Sequence, residues 1–263
     1  MKVDGETRVV ITGAGSGIGR ATALRCAKAG AEVVCVDIDE ASAAAVAGEC
    51  EGTASAHRCD VSDAAAVDAL AAALGPVDVL VNNAGVGVGG PFLEASTEDW
   101  DWLMGVNLDG VAYGCRAFGP GMVERGRGHI VNVASGAAYI MSRDLAAYCA
   151  SKAAVLALSR CLRADWHGTG VGVSAICPGL INTPIASRSR MVGPLAGGEE
   201  RAVRVFRRGH DPDIVARAIV KAVERNQEVV PVGFESELAY RAMPFIPGPL
   251  QALAARAQLG RVL

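Results

Sequence analysis

The sequence predicts an α/β protein, a doubly wound parallel sheet of about seven strands with helices on both faces. Two observations predict it. Short β-branched runs alternate with longer Ala-rich stretches of helical period along the chain. The runs are also continuously apolar, as strands covered on both faces are. No repeat, linker or low-complexity segment interrupts the pattern, which predicts one domain over 1–263.

A strand over 9–11 leads to a helix over 17–29, a strand over 32–37 to a helix over 39–50, and a weaker strand over 54–59 to a helix over 64–74. A strand over 77–81 is followed by a long helix over 97–125, and a strand over 129–134 by a helix over 146–167. The strand over 171–177 precedes a helix over 212–226, and a last strand covers 228–232. Such units pair strands in parallel through right-handed crossovers. Pro244, Pro247 and Pro249 break the remainder, so 231–263 reads as a tail folding over the body.

Composition narrows the function classes. Hydrophobic residues make up 51% of the chain and charged residues 20%, which describes a globular protein. A net charge of −3 gives no general attraction to nucleic acid. None of the eight cysteines sits in a C-x-x-C pair and most lie in apolar runs, so they read as buried free thiols suited to a reducing compartment. Residues 1–8 contain no apolar leader core, and no apolar stretch is long enough to span a bilayer. The expectation is a soluble cytoplasmic protein without a membrane span. The four histidines show no metal-ligand spacing, so no metal is expected.

The first strand runs into Thr12-Gly13-Ala14-Gly15-Ser16-Gly17-Ile18-Gly19 and then a helix. Residues without Cβ turn the chain sharply and let the backbone approach a pyrophosphate. The helix N-terminus then offers free N–H groups and a favourable dipole to phosphates. A plain structural turn is the alternative, but the strand–turn–helix position favours a dinucleotide. Asp37 closes the second strand 18 residues after Gly19, where a carboxylate bonds the adenosine ribose and repels a 2′-phosphate. No basic neighbour compensates, since Ile38 follows it. Asp37 could also merely end a strand; with the glycine turn it points to NAD over NADP on a Rossmann-type sheet.

Tyr148 and Lys152 lie four residues apart at the start of a helix, which puts phenol and ammonium on one face. A nearby cation favours the phenolate, so the expectation is a lowered tyrosine pKa and an acid/base role on an alcohol or carbonyl oxygen. No other tyrosine of the chain has a lysine four residues on. Ser135 follows the strand over 129–134, at the edge where open α/β sheets bind ligands. Taken alone, it is a turn residue.

Together these motifs resemble the short, single-domain branch of the short-chain dehydrogenase/reductase family over essentially the whole chain. Thr12 through Gly19 is similar to its glycine turn, Asp60-Val61 to its adenine-holding pair, and Asn82-Asn83-Ala84-Gly85 to its signature after the fourth strand. Pro178-Gly179 and Thr183 are similar to the segment that contacts the nicotinamide. The resemblance implies a tetrad of Asn107, Ser135, Tyr148 and Lys152. It further implies a dinucleotide held by Gly13, Ser16, Gly17, Ile18, Gly19, Asp37, Asp60, Val61, Asn83, Ala84, Gly85, Tyr148, Lys152, Pro178, Gly179 and Thr183. Tyr148 would take the alcohol proton as hydride leaves for NAD, Ser135 would hold the same oxygen, and Lys152 would bind the nicotinamide ribose. Asn107 would position a proton-carrying water. The segments 92–100 and 228–232 resemble actinobacterial members, some of them fused to epoxide hydrolases.

Substrate choice is expected in the loops 86–93, 136–143 and 180–210. Phe92, Leu93, Tyr139, Ile140, Met141, Leu180, Ile181 and Ile185 suggest a lipophilic secondary alcohol or ketone, unless they are simply core. Arg201, Arg204 and Arg208 share a helical face that could meet an acidic group, although a solvated face is the plainer reading. Glycine-rich 187–210 reads as a mobile substrate lid. Apolar helices after Thr97 and around Tyr148 suggest a homodimer or homotetramer. An NADP-dependent carbonyl reductase and a non-catalytic dinucleotide sensor on the same fold are the alternative functions.

Overall fold

In a computed structural model describing residues 1–256, β1 (Arg8–Thr12) is the third strand of a seven-stranded parallel sheet. The chain continues through α1 (Gly17–Lys28), β2 (Glu32–Asp37), α2 (Glu40–Glu49), β3 (Ala54–Arg58), α3 (Ala64–Leu74) and β4 (Val79–Asn82). After a two-residue strand β5 (Val88–Gly89) come α4 (Thr97–Met104), α5 (Gly110–Arg125), β6 (Gly128–Val133), α6 (Ala146–Asp165) and β7 (Val171–Pro178). A second two-residue strand, β8 (Arg190–Met191), precedes α7 (Glu199–Phe206), α8 (Pro212–Arg225), β9 (Val229–Val232), α9 (Phe234–Ala242) and α10 (Gly248–Ala255).

The main sheet has the order β3-β2-β1-β4-β6-β7-β9. Winding runs outward from β1 through β2 to β3, then restarts on the other side with β4. That reversal leaves a crevice beyond the carboxyl ends of β1 and β4, where ligands of open α/β sheets bind. Alternation along the strands sorts side chains into two layers. Val9 and Ile11 pack with Ala23, Val46 and Ile219 on the α1, α2 and α8 side. Val10 packs with Leu70, Phe118, Met122 and Val155 on the α3, α5 and α6 side. Asp39, Asp63 and Asp211 cap α2, α3 and α8 by accepting from backbone N–H groups of the first turn.

Three sequence expectations change. The helix expected over 97–125 is interrupted by a π turn, Gly105–Asp109, between α4 and α5. Such turns insert a residue into the helical ladder and recur at functional sites; here the turn carries Asn107. The tail is helical despite its prolines, because Pro244 opens a 3₁₀ turn and Pro249 lies in the first turn of α10. Proline is tolerated there, since first-turn N–H groups have no intrahelical partner. The segment 187–210 holds regular structure: β8 pairs with β5, and α7 follows. Among the described residues no helix is long and apolar enough to cross a membrane. All eight cysteines are free thiols, but Cys161 is exposed rather than buried.

Candidate active site

The ends of β1, β2, β4, β6 and β7 open onto one cleft of about 410 Å³. Sixteen of the eighteen residues expected to hold a dinucleotide or perform the reaction line it; Gly19 and Asn107 do not. Gly19 lies underneath, where a Cβ would collide with the Gly13 carbonyl. Gly13 itself has φ +64°, and a Cβ there would come within 2.8 Å of Ala84 Cα. The turn therefore packs directly on Asn83-Ala84. Thr12 Oγ1 accepts from the N–H groups of Asn83 at 3.0 Å and Ala84 at 3.1 Å, and Asn83 Nδ2 donates back to Thr12 O at 2.9 Å. These bonds hold the two loops together as one floor.

That floor fits a dinucleotide. Ser16 makes no side-chain cap bond to α1, and no acidic residue lies in the helix's first turn, so its N–H groups face the cleft without an internal anion. Asp37 stands beside them, its Oδ2 accepting from Gly15 N at 2.9 Å and its Oδ1 from Asp39 N at 3.2 Å. Asp60 and Val61 line the neighbouring wall, Asp60 Oδ1 accepting from Ser62 N at 2.9 Å. One expectation is corrected here. The fold brings Arg188 into the same lining, and its charge helps hold the Asp39 carboxyl below its ordinary range after the larger effects of hydrogen bonds from Ser42.

At the other end of the cleft, α6 presents Tyr148 and Lys152. The ammonium is buried, donates to Val133 O at 3.1 Å, and lies 5.9 Å from the centre of the Tyr148 ring. Burial lowers the Lys152 pKa to about 8. The Tyr148 expectation is reversed in the protein alone: burial raises its pKa, and the Ser135 hydroxyl only partly opposes that rise. Asn107 is fully buried behind the cleft; Oδ1 accepts from Val86 N at 2.8 Å, while Nδ2 donates to Val86 O at 3.0 Å and Ser151 Oγ at 3.2 Å. Gly85 lies against both Asn107 and Lys152, since a Cβ there would be 3.4 Å from Oδ1 and 3.5 Å from Nζ.

A profile of the short chain dehydrogenase family matches residues 7–191. The chain belongs to the short-chain dehydrogenase/reductase family. It is 46% identical over 265 aligned positions to the probable oxidoreductase EphD of Mycobacterium tuberculosis, covering 95% of this chain and 45% of that protein. The chain thus spans less than half the length of that relative. A D-threitol dehydrogenase of Mycolicibacterium smegmatis is 40% identical, with 84% of this chain and 87% of that one covered. Among solved structures, a short-chain dehydrogenase/reductase from Burkholderia phymatum in complex with NAD superposes with a TM-score of 0.87 at 33% identity, covering 98% and 97% of the two chains. The family is one of oxidoreductases that bind a nicotinamide dinucleotide and interconvert alcohols and ketones; solved relatives carry NAD, NADH or NADP.

For this short-chain dehydrogenase the expected substrate residues hold only in part. Ile181 and Ile185 line the cleft. Phe92 and Leu93 are exposed outside it, Met141 belongs to a separate groove on α6, and the Tyr139 hydroxyl bonds Ser236 in α9. Val86, Trp102, Val106 and Phe206 complete the apolar wall instead. Trp102 and Val106 are four residues apart just before Asn107, a helical spacing that could have signalled a shared face. No sequence pattern announces that Arg188 shares the cleft lining with Asp37.

Proposed function

We propose that this chain is an NAD-dependent dehydrogenase that interconverts a lipophilic secondary alcohol and its ketone. One observation carries the reading: Tyr148 sits opposite Ser135, backed by a buried lysine, where the dinucleotide cleft meets the wall of Val86, Trp102, Val106, Ile185 and Phe206. That wall favours an apolar carbon skeleton. When bound, the dinucleotide supplies the hydride acceptor or donor. The Tyr148 oxygen takes the alcohol proton in oxidation and returns it to a carbonyl oxygen in reduction. Ser135 donates a hydrogen bond to the same oxygen. Lys152 favours the phenolate and holds the nicotinamide ribose, while Asn107 fixes the backbone of Val86 beside them. Burial raises the Tyr148 pKa, which suits the phenol to donate to a ketone, while taking the alcohol proton requires the phenolate that Lys152 favours.

Asp37 supports NAD over NADP: its carboxylate is pinned by two backbone N–H groups where a 2′-phosphate would lie. The D-threitol dehydrogenase relative favours a second reading, a short polyol substrate. Alcohols of graded size and polarity, offered with NAD⁺ and followed by NADH absorbance, separate the two. Turnover confined to polyols overturns the lipophilic reading, and no turnover with any alcohol or ketone favours a dinucleotide sensor. We further propose one domain over 1–263 with 187–210 as a lid, working as a homodimer or homotetramer in a reducing compartment such as the cytoplasm.

A further inference from the structure

Two consecutive side chains at the start of α9 reach into the wall of the active site from the C-terminal segment. Glu235 Oε1 accepts from Leu180 N at 2.7 Å, two residues after Pro178. It occupies the space that a side chain on residue 179 would need, because a Cβ on Gly179 would collide with the Glu235 carboxylate. Its other oxygen pairs with His210 Nε2 at 3.1 Å. His210 is in turn bound to the same loop through its backbone: its N–H donates to Leu180 O and its carbonyl accepts from Asn182 N, both at 2.9 Å. Ser236, fully buried, donates to Cys177 O at 2.7 Å, and the Tyr139 hydroxyl bonds its backbone carbonyl at 3.1 Å. The loop after Ser135 and the loop after β7 thus meet on the first turn of α9.

We infer that Glu235 and Ser236 form a clamp that positions the backbone of 178–180 against the nicotinamide end of the cleft, with Glu235 as its principal holding group. The inference rests on the dinucleotide reading of that cleft. Its physical basis is that, just after a proline–glycine pair whose Gly179 N–H bonds Val232 O at 2.8 Å, the Leu180 N–H is met by a side-chain carboxylate. A carboxylate acceptor gives it a charge-assisted bond and also fixes, through His210, the point where the segment 187–210 rejoins the body. Burial alone would push the Glu235 carboxyl up. Donation from its own backbone N–H and that of Leu180, with His210 added, outweighs burial and holds it below its ordinary value, as expected of a carboxylate in use as an acceptor. Glu235 is a positioning residue: it acts on the reaction only through residues 178–180.

The test compares NADH with ADP-ribose, which has everything but the nicotinamide. Binding of each is titrated by fluorescence or calorimetry to the wild-type protein and to Glu235→Ala, Glu235→Asp and Glu235→Gln. Loss of a charge-assisted bond predicts NADH affinity reduced about tenfold in Glu235→Ala, with ADP-ribose affinity unchanged within about twofold. Glu235→Asp, which withdraws the oxygen but keeps the charge, is expected to show the same selective loss and decides the matter if the alanine variant does not fold. Glu235→Gln keeps an acceptor for Leu180 and is expected to stay within about threefold of wild type. Wild-type NADH affinity in the Ala and Asp variants, or equal weakening of both ligands, overturns the clamp alone. A wild-type protein that binds neither ligand overturns the dinucleotide reading and the clamp with it.

Discussion

The backbone N–H of Gly15 donates to Asp37 Oδ2 at 2.9 Å, joining the glycine turn to the end of β2. The carboxylate proposed to choose the cofactor is therefore bonded to the loop proposed to hold its phosphates. NAD(H) is expected to bind at least about tenfold tighter than NADP(H), because a 2′-phosphate would meet this fixed negative charge. Asp37→Ala should narrow the gap, with Arg188 then free to favour the phosphate. Titration of both cofactors checks this, and equal affinity in the unmodified protein rejects it.

Tyr148→Phe removes the phenolic proton with little change in volume and should lower turnover by about 10²-fold or more. Full turnover in this variant would place the acid/base group elsewhere. Lys152→Met separates function from stability. The native ammonium has a pKa of about 8, below its unfolded value of 10.5, so the native state binds fewer protons between those values and stability rises with pH across that window. At neutral pH the buried charge costs up to about 3 kcal/mol. Lys152→Met should therefore raise the melting temperature by several degrees while abolishing activity; a lower melting temperature would contradict it.

His129 predicts the opposite side of the pH scale. It is buried and pairs with Ser174 Oγ at 2.8 Å, and burial, then the charge of Arg163, lowers its pKa to about 3. The folded protein keeps it neutral while the unfolded chain protonates below about 6.5. Its stabilising contribution is complete above that pH and is lost as pH falls toward 3. Between pH 7.5 and 5 the loss should be about 2 kcal/mol, read from urea midpoints. His129→Gln should show a smaller drop, and an equal drop in both proteins would remove the assignment.

Assembly should follow the outer face of α6, where Ala146, Ala150 and Ala157 are exposed and a groove of about 510 Å³ runs between Met141, Ala153 and Arg256. A helix apolar on most of its circumference is suited to pairing with a second copy. Light scattering at micromolar concentration should give a dimer or tetramer. A mass of 26.9 kDa would refute it.

The lid should move only in part. Arg190 is bonded to Asp99 at 2.9 Å and lies 4.2 Å over the Trp102 ring, which ties down β8, whereas Phe206 of α7 faces the cleft. Hydrogen exchange is expected to be slow near Arg190 and to slow further over 193–209 when NAD⁺ and substrate are both present. Equal, strong protection of 193–209 in both states would make the segment a fixed insert.

Much of this molecule was legible because its signals are local. Six of the seven sheet strands announce themselves as apolar runs and β3 only weakly, and Gly13 to Gly19, Asp37, Ser135, Tyr148 and Lys152 each sit at a fixed offset from a strand or helix end. The rest depends on contacts between distant segments. Glu235 meets Leu180 across 55 residues of chain, from the stretch whose prolines mark only a tail folding over the body. Arg188 is remote in sequence from Asp37, so nearest neighbours gave no sign of a cation there. The direction of the Tyr148 shift escapes the sequence for a related reason: spacing shows that a lysine is near, but not the desolvation that raises the phenol's pKa.

The π turn at Gly105–Asp109 acts as a phase shifter in what would otherwise be one rod. Adding a single residue to an α-helix turns everything beyond it by about 100°. Upstream, Trp102 faces the cleft; downstream, Val111, Cys115, Phe118 and Met122 face the sheet. A uniform helix could not keep both faces aimed correctly, so removing one residue from 105–109 would leave either the substrate wall or the core rotated out of place. The wall of the cleft and the hydrophobic interior are thus faced independently along one continuous length of chain.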